Sequence, residues 1–249
     1  MALGSPLVSS HERGDTQMAR KLYDLLGADD RRFSPFCWRA RLALAHKDLK
    51  AEDVPCGFTE METVAFAGGK TVPVLVDGDN AVADSWSIAL YLEEAYPNGP
   101  SLFGGEQGQA LARFVAHWCD TALHPAVFRL VIADLINVVR PEDQAYFRAS
   151  REKRLGMTIE EAAAKRDDWA PRLTAALAPL RAQLGERDFV SGAAPAYADY
   201  VVFGAFQWAR VASAYPMLAD EPAIAAWRDR MLDLFGSLAR AAPAIDEAA

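Results

Sequence analysis

The sequence pattern of this chain changes near its middle, at a segment rich in glycine and proline. Residues 97–105 read Pro-Asn-Gly-Pro-Ser-Leu-Phe-Gly-Gly, which is typical of a linker. Before this segment, short apolar runs alternate with one-sided helical patterns, and after it Ala- and Leu-rich segments with helical spacing continue almost to the end. The chain therefore predicts a small α/β domain over 20–96, a linker over 97–106 and a larger all-helical domain over 107–242.

Strand and helix signals follow one another at short spacing in the first domain. Asp77-Gly78 is a favoured hairpin turn between two apolar runs. Ser34-Pro35 is a typical helix start, because serine caps a helix and proline fits its first position. The stretch before residue 71 has no clear pattern. The predicted elements are a strand over 22–26, a helix from 34, strands over 51–55, 71–76 and 81–83, and a helix over 85–95.

The second domain is predicted from helical periodicity alone. Residues 107–183 show this spacing, and residues 222–240 form another amphipathic pattern. Residues 197–210 are apolar nearly all round, which predicts a helix that is buried on every side. At the two ends, polar residues without periodicity over 1–19 predict a flexible extension, and residues 243–249 are expected to form a tail.

Composition limits the function classes that fit this chain. The 249 residues include 26 Lys and Arg against 34 Asp and Glu, for a net charge of -8, and this acidity argues against a nucleic acid partner, which needs a basic surface. No apolar run approaches the roughly 20 residues of a membrane span. The cysteines Cys37, Cys56 and Cys119 show no paired spacing, so we expect free thiols and a reducing, cytoplasmic location.

Two site types can be tested by spacing, and neither fits. Gly69-Lys70-Thr71 resembles the end of a phosphate-binding loop, but Val64 stands where that motif needs glycine and a strand follows instead of a helix. The closest set of metal-ligating types is His117, Cys119 and His124, whose spacing does not suit one helix face. We therefore expect no bound metal.

A proline within the predicted strand 71–76 has two interpretations. Pro73 lacks the N–H that a central strand donates, so the strand could simply lie at a sheet edge. Alternatively, a cis Val72–Pro73 bond would turn the main chain of Val72 outward, where it could bind an extended peptide as an added strand.

Two helix starts are equally open to a structural and a functional interpretation. Asp84-Ser85 and Ser34-Pro35 are both competent helix caps. The same positions could also bind a ligand, because a helix start offers N–H groups to an anion and Asp84 could pair with an ammonium group. The order of strand, loop and helix predicts that the Ser34 hydroxyl lies close to Val72, so both could face one ligand.

Together these segments resemble cytosolic glutathione transferases. The resemblance rests on Ser34-Pro35-Phe36-Cys37-Trp38-Arg39, Val72-Pro73-Val74-Leu75, Asp84-Ser85 with the helix after it, the glycine-proline linker and Ala198-Asp199. It implies a thioredoxin-like first domain, an all-α second domain and a homodimer. Phe58-Thr59, Asp84-Ser85-Trp86 and parts of 128–152 further resemble the bacterial β-etherases, which cleave aryl ethers of lignin-derived compounds with glutathione.

The resemblance implies where glutathione would bind. Val72 would supply main-chain bonds to the cysteinyl part, beside cis Pro73. Asp84 and Ser85 would bind the γ-glutamyl end, and Lys70 could reach the glycyl carboxylate.

The resemblance also implies the reaction. Ser34 would donate a hydrogen bond to the glutathione sulfur, whose pKa near 8.5 leaves only about 3% ionised at pH 7. Such a bond to a charged group contributes roughly 1.5–3 kcal/mol and lowers the pKa by about one to two units. The thiolate would then attack a small hydrophobic aromatic substrate. The expected acceptor pocket is formed by Phe33, Phe36, Trp118, Phe128 and Tyr146.

Two alternatives remain. A glutathione-dependent isomerase or another conjugating transferase is one, although the isomerase branch has a Ser-Ser-Cys string where this chain has Ser34-Pro35-Phe36. A binding protein that kept the fold without catalysis is the other. One departure from the family concerns folding: Ala196 stands where a capping Ser, Thr or Asn is usual, at an expected cost of about 1 kcal/mol.

Overall fold

The first half of the chain folds around a four-stranded mixed sheet. The computed structural model describes residues 20–245, so the predicted extension 1–19 and the end of the predicted tail lie outside the described residues. The sheet order is β2-β1-β3-β4, with β1 parallel to β2 and antiparallel to β3, which is antiparallel to β4. The strands are β1 (Lys21–Leu25), β2 (Glu52–Cys56), β3 (Val74–Asp77) and β4 (Asn80–Ala83).

Two helices cover this sheet. Helix α1 (Pro35–His46) connects the parallel strands β1 and β2, as a parallel pair requires a crossover. Helix α2 (Ser85–Ala95) has the bounds that the sequence predicts. Leu22 of β1 lies opposite Leu75 of β3, and both are buried beneath the helices. The apolar runs of the sequence thus form the inner face of the sheet.

The predicted strand over 71–76 is wrong at its start. Strand β3 begins at Val74, and the cis Val72–Pro73 bond precedes it. Proline has no N–H to donate to a neighbouring strand, so regular pairing cannot begin before it. The predicted hairpin is present, with Gly78 at a φ of 61° in its turn. The stretch without a clear sequence pattern contains a 3₁₀ helix over Phe58–Ala67.

Helices make up the second half of the described chain. Helix α3 already begins at Glu106, within the predicted linker. A π-helical turn over Cys119–Leu123 joins α3 to α4 in one continuous helix. The bounds are α3 (Glu106–Trp118), α4 (His124–Val138), α5 (Gln144–Leu155), α6 (Ile159–Ala164), α7 (Arg166–Glu186), α8 (Tyr197–Ala212) and α9 (Pro222–Ser237).

Helix α8 lies at the centre of the core, as its apolar sequence predicts. All its residues except Arg210 are buried. It packs against the start of α1, where a side chain on Gly204 would come within 2.5 Å of the Pro35 carbonyl oxygen. Only glycine allows this approach, which brings the second half of the chain against residue 35.

The predicted helix over 222–240 is interrupted near its end. Phe235 and Gly236 have φ values of 53° and 70°, so the chain turns there. Phe235 contacts the rings of His46 and Tyr200, at 6.4 and 6.2 Å between centroids. The amphipathic pattern continues through this turn and therefore does not reveal it.

One helical stretch of the described chain is long and apolar enough to cross a membrane by length and composition. It spans residues 106–138 as one helix of 33 residues, contrary to the expectation that no such segment exists. However, 56% of its most apolar window is buried within the protein itself. A core helix has the same properties, so this stretch is weak evidence for a membrane span.

Candidate functional site

A cavity of about 490 Å³ is lined by residues of both halves of the chain. The first half contributes the start of α1, the segment before β3 and the residue before α2. The second half contributes parts of α4, α5 and α8. Pockets of this size hold small organic ligands, and the sequence motifs singled out above converge on this one.

Ser34 lies at the first-half side of the cavity, at the start of α1. It is 6% exposed, and its Oγ accepts a hydrogen bond from the Cys37 N–H at 3.3 Å. This is a helix cap, as one interpretation of the sequence predicts. Because the oxygen accepts this bond, the hydroxyl proton is free to be donated to another acceptor. Capping and ligand binding are therefore compatible at Ser34.

The segment before β3 brings Lys70, Val72 and Pro73 to the same cavity. The Val72–Pro73 bond is cis, and the Pro73 carbonyl accepts a hydrogen bond from the Asp84 N–H at 3.1 Å. Within residues 20–245, no backbone hydrogen bond is made to the Val72 main chain. Its N–H and C=O are thus available to a ligand.

Asp84 lines the cavity, but Ser85 does not. Ser85 is only 1% exposed, and its carbonyl accepts a hydrogen bond from the Tyr197 hydroxyl at 2.7 Å. Asp84 is exposed and has a φ of 76°, which is rare for a residue other than glycine. Its Oδ1 accepts the N–H groups of Trp86 and Ser87 at 3.0 and 3.1 Å. The carboxylate therefore caps α2 while it faces the cavity.

Four of the five aromatic residues predicted for an acceptor pocket line the cavity. They are Phe33, Phe36, Phe128 and Tyr146. Trp118 is not among the lining residues and packs against the hydrophobic core instead. The neighbouring turn brings Asp120 and His124 to the cavity, and residues two apart on a helix point to different sides.

Several lining residues come from distant segments and were not predicted from the sequence. Phe58 packs against Phe147 and Tyr146, with ring centroids 5.5 and 6.2 Å apart. Trp208 of α8 stacks on Phe128 at 6.1 Å. Arg151 and Arg154 of α5 also line the cavity. Arg151 lies in a segment that carried the β-etherase resemblance, which is the one sequence signal that pointed to it.

The 3₁₀ segment that carries Phe58 is tied to the second half of the chain. The Thr59 N–H and hydroxyl both donate to Asp143 Oδ1, at 2.8 and 2.7 Å. Arg140 Nε donates to the other oxygen of Asp143 at 2.8 Å and reaches Glu60 at 3.2 Å. Asp143 is fully buried, so these bonds fix the segment against the helices on one side of the cavity.

Cys119, Asp120 and His124 come within 4.8 Å of one another, whereas His117 of the set considered above does not join them. A guanidinium already contacts all three: Nη2 of Arg39 lies 2.7 Å from the Asp120 carboxylate, 3.5 Å from His124 and 3.8 Å from Cys119. Burial and the positive charges of Arg39 and Arg154 lower the pKa of His124 to about 3. These three side chains thus already have the Arg39 guanidinium as their partner, and the cluster is better explained by this contact than by a metal site.

All three cysteines are buried and free. Burial raises the pKa of Cys37, the thiol nearest in sequence to Ser34, well above its ordinary value. Burial likewise raises the pKa of Cys119 to about 12. A buried thiol that stays protonated is a poor nucleophile, so reactive sulfur in this cavity would have to come from a ligand.

A small mixed sheet with helices, followed by a helical domain and a cavity lined by both, defines a two-domain protein of the thioredoxin-like class. Residues 33–95 match the family model for the glutathione S-transferase N-terminal domain. Residues 110–231 match the model for the glutathione S-transferase C-terminal domain. The chain belongs to the glutathione S-transferase superfamily.

Individual relatives agree with this assignment. The chain is 35% identical to glutathione S-transferase U13 of Arabidopsis thaliana over 104 residues, which are 39% of this chain and 46% of that protein. Its structure resembles glutathione transferase GSTFuA3 from Phanerochaete chrysosporium, with a TM-score of 0.80, 26% identity and coverage of 89% and 98% of the two chains.

A second solved structure resembles the chain in fold alone. It is CsGST63524 of Ceriporiopsis subvermispora, determined in complex with glutathione, with a TM-score of 0.75, 21% identity and coverage of 87% and 96%. The chain spans about half the length of the curated relatives it matches. The finer resemblance to β-etherases stays a prediction.

Proposed function

We propose that this protein is a glutathione S-transferase that activates the glutathione thiol for attack on an aromatic electrophile. The observation that carries this proposal is that Ser34, Val72 and Asp84 line one cavity, although they come from three separate segments. Family membership supports glutathione as the co-substrate, since the family uses this tripeptide.

In the proposed mechanism the peptide binds by its main chain and its charged ends. The free N–H and C=O of Val72 pair with the cysteinyl residue, as an added strand would. Asp84 pairs with the α-ammonium group of the γ-glutamyl end. Lys70, also at the cavity, pairs with the glycyl carboxylate. Ser85 is too deeply buried to touch the ligand by its side chain, so its proposed role is limited to the N–H at the start of α2.

Ser34 then stabilises the thiolate. Its oxygen is engaged by the Cys37 N–H, so its proton is directed away from α1 and can be donated to the sulfur. The helix start adds a favourable field for negative charge of about 0.3–1 kcal/mol. The thiolate attacks the electrophilic carbon, a carbon–sulfur bond forms, and the leaving group departs with its electron pair.

The pH dependence of turnover after Ser34→Ala tests this role. We expect the apparent thiol pKa to rise by about one to two units, so turnover at neutral pH should fall by about tenfold or more and recover at high pH. Ser34→Thr keeps both the hydroxyl and the helix cap and should behave like the wild type. Thr174→Ala, which removes the hydroxyl of an exposed residue of α7 that does not line the cavity, is the matched control.

Two results would contradict the proposal. An unchanged pH–rate profile in Ser34→Ala would show that Ser34 does not stabilise the thiolate. If calorimetry detects no binding at millimolar glutathione, only a protein that kept the fold without the activity remains.

We further propose that the electrophile is an aryl ether, in line with the β-etherase resemblance. The thiolate would displace a phenolate from the carbon next to a ketone, and phenolate leaves without strong acid because the pKa of phenol is near 10. The aromatic rings of Phe33, Phe128 and Tyr146 at the cavity support such a substrate. Release of a phenol from a β-aryl ether ketone, compared with conjugation of a halogenated aromatic, distinguishes ether cleavage from general conjugation.

We also propose a homodimer and a cytoplasmic location. Leu111 and Phe114 are 68% and 71% exposed one turn apart on α3, and Phe66 of the first half is 57% exposed; such apolar surface suits a protein partner. Sedimentation should give a dimer, and Phe114→Glu should give a monomer while Gln107→Glu on the same helix does not. A monomeric wild type would contradict the proposed homodimer.

The free buried thiols favour a reducing compartment, in line with the proposed cytoplasmic location.

A further inference from the structure

The negative and positive side chains that line the cavity differ in whether they already have partners. Its two carboxylates already have partners: Asp120 lies 2.7 Å from the Arg39 guanidinium, and Asp84 accepts two N–H groups of α2. Arg151 and Arg154 of α5 line the same cavity. Their positive charges therefore face the same space as the carboxylates of Asp84 and Asp120.

Neither guanidinium has a carboxylate partner in the part of the chain that the structure describes. Arg151 donates to the Ser150 hydroxyl at 2.9 Å, and no hydrogen bond or ion pair of Arg154 is found between residues 20 and 245. By contrast, Arg148 of the same helix pairs with Glu152 and Glu160, each at 2.9 Å. Most N–H donors of Arg151 and Arg154 are therefore available to a ligand in the cavity.

Aromatic rings hold both guanidinium groups in place. The Arg151 guanidinium carbon lies 4.7 Å from the ring centre of Phe147 and 5.2 Å from that of Phe58. The Arg154 guanidinium lies 5.2 Å from the ring centre of Phe128. Stacking on a ring covers the face of a guanidinium and leaves its N–H edge free for a planar anion.

The positive charges also repel one another. Burial, and then the charge of Arg154, lowers the pKa of Arg151. Burial and the charges of Arg172 and Arg154 do the same to Arg129 on the neighbouring α4. A bound anion would relieve this repulsion, and no side chain of the described residues supplies one to Arg151 or Arg154.

We propose that Arg151 and Arg154 form a carboxylate subsite in the acceptor half of the cavity, so that the preferred electrophile is an aromatic compound that carries a carboxylate. This inference rests on the proposed function. The rings of Phe58, Phe128 and Trp208 bind the aromatic body, and the two guanidinium edges bind its carboxylate. A planar carboxylate matches the paired N–H donors of a guanidinium better than a spherical anion does.

The test compares two product analogues by calorimetry, so that it does not depend on turnover. S-(4-carboxybenzyl)glutathione and S-benzylglutathione share the glutathione part and differ only in the carboxylate. We expect the wild type to bind the carboxylate analogue about tenfold more tightly. Arg154→Gln and Arg151→Gln should each remove most of this preference and leave the affinity for glutathione unchanged. Lys153→Gln removes an exposed charge from the same helix without touching the cavity lining and should keep the preference.

Three outcomes would overturn the subsite. The first is that the two analogues bind the wild type equally well, and the second is that the arginine variants keep the preference for the carboxylate analogue. The third is that the variants lose affinity for glutathione itself, which would assign these arginines to a carboxylate of the tripeptide. Failure of the proposed function gives a different result: either glutathione and both analogues fail to bind, or all three bind while no acceptor is converted.

Discussion

Replacement of Asp199 tests whether one buried carboxylate organises the helical half of the chain. Asp199 is fully buried near the start of α8, and its two oxygens accept four N–H groups. Oδ1 accepts the Val190 N–H at 2.7 Å and the Trp227 indole at 2.9 Å. Oδ2 accepts the Ser191 and Ala196 N–H groups, each at 3.1 Å. One side chain thus fixes the loop before α8, the start of α8 and a tryptophan of α9.

The cost of removing this carboxylate follows from the fate of its four donors. In Asp199→Ala, the N–H groups of Val190, Ser191 and Ala196 can turn to water, because these three residues are at least partly exposed. The Trp227 indole cannot, because Trp227 is fully buried. A lost hydrogen bond costs about 1 kcal/mol, and a trapped donor costs roughly 1–3 kcal/mol. We therefore expect a loss of about 4 kcal/mol, a large fraction of a typical folding free energy.

Equilibrium unfolding in urea, followed by tryptophan fluorescence, measures this loss. Asp199→Asn keeps the volume but presents two N–H groups to two of the donors, so its free energy of unfolding should fall between those of the wild type and Asp199→Ala. Asp233→Ala, which breaks an exposed pair with Arg240, is the control and should differ little from the wild type. Should Asp199→Ala unfold at the same urea concentration as this control, the reasoning on trapped donors is wrong.

The other predictions concern ionisable groups. Burial and nearby arginines lower the pKa of His124 to about 3, so between about pH 6.5 and 3 this imidazole takes up a proton only in the unfolded chain. The free energy of unfolding should therefore fall as the pH is lowered through this range. His124→Gln removes the titrating group and should flatten the decline. Burial raises the pKa of Cys37 and Cys119, so a disulfide reagent at pH 8 should modify them only after unfolding; fast modification of the native protein would contradict their burial. Burial would raise the pKa of Asp143, but its bonds with Arg140 and Thr59 together outweigh this and hold the pKa below its ordinary value. That stabilisation is present at neutral pH and lost below about pH 4. The melting temperatures of Asp143→Asn and the wild type should therefore differ at pH 7 and converge towards pH 3.

The fold could be predicted from the sequence wherever a local signal decides the structure. The cap at Ser34, the hairpin turn at Gly78 and the fully apolar helix α8 are such signals, and the structure has all three. The late start of β3 and the turn at Phe235 were missed. At Phe235 the cause is tertiary, because its ring contacts His46 and Tyr200 from distant segments. Periodicity within one segment carries no information on such contacts.

The candidate site likewise has one part that local sequence signals predict and another that depends on tertiary contacts. Its glutathione half is built from residues at helix starts and before a strand, such as Ser34, Val72 and Asp84, and each lies in a short motif that can be read in isolation. Its other half is built by helix packing. There the predicted residue Trp118 is not among the lining residues, whereas Arg154 and Trp208, which were not predicted, line the cavity. The missed residues lie on helices whose polar and apolar positions follow the ordinary amphipathic pattern.

The expected loss of a helix cap at Ala196 shows how the two kinds of signal combine. The residue cannot cap α8 by its side chain, as the sequence indicates. However, the Asp199 carboxylate accepts the Ala196 N–H and also binds donors from outside the helix. The end of the helix is therefore stabilised by tertiary bonds. Because α8 also contacts the Pro35 carbonyl through Gly204, the position of Ser34 depends on how well this helix is held, and the proposed thiolate site rests on packing in the other half of the chain.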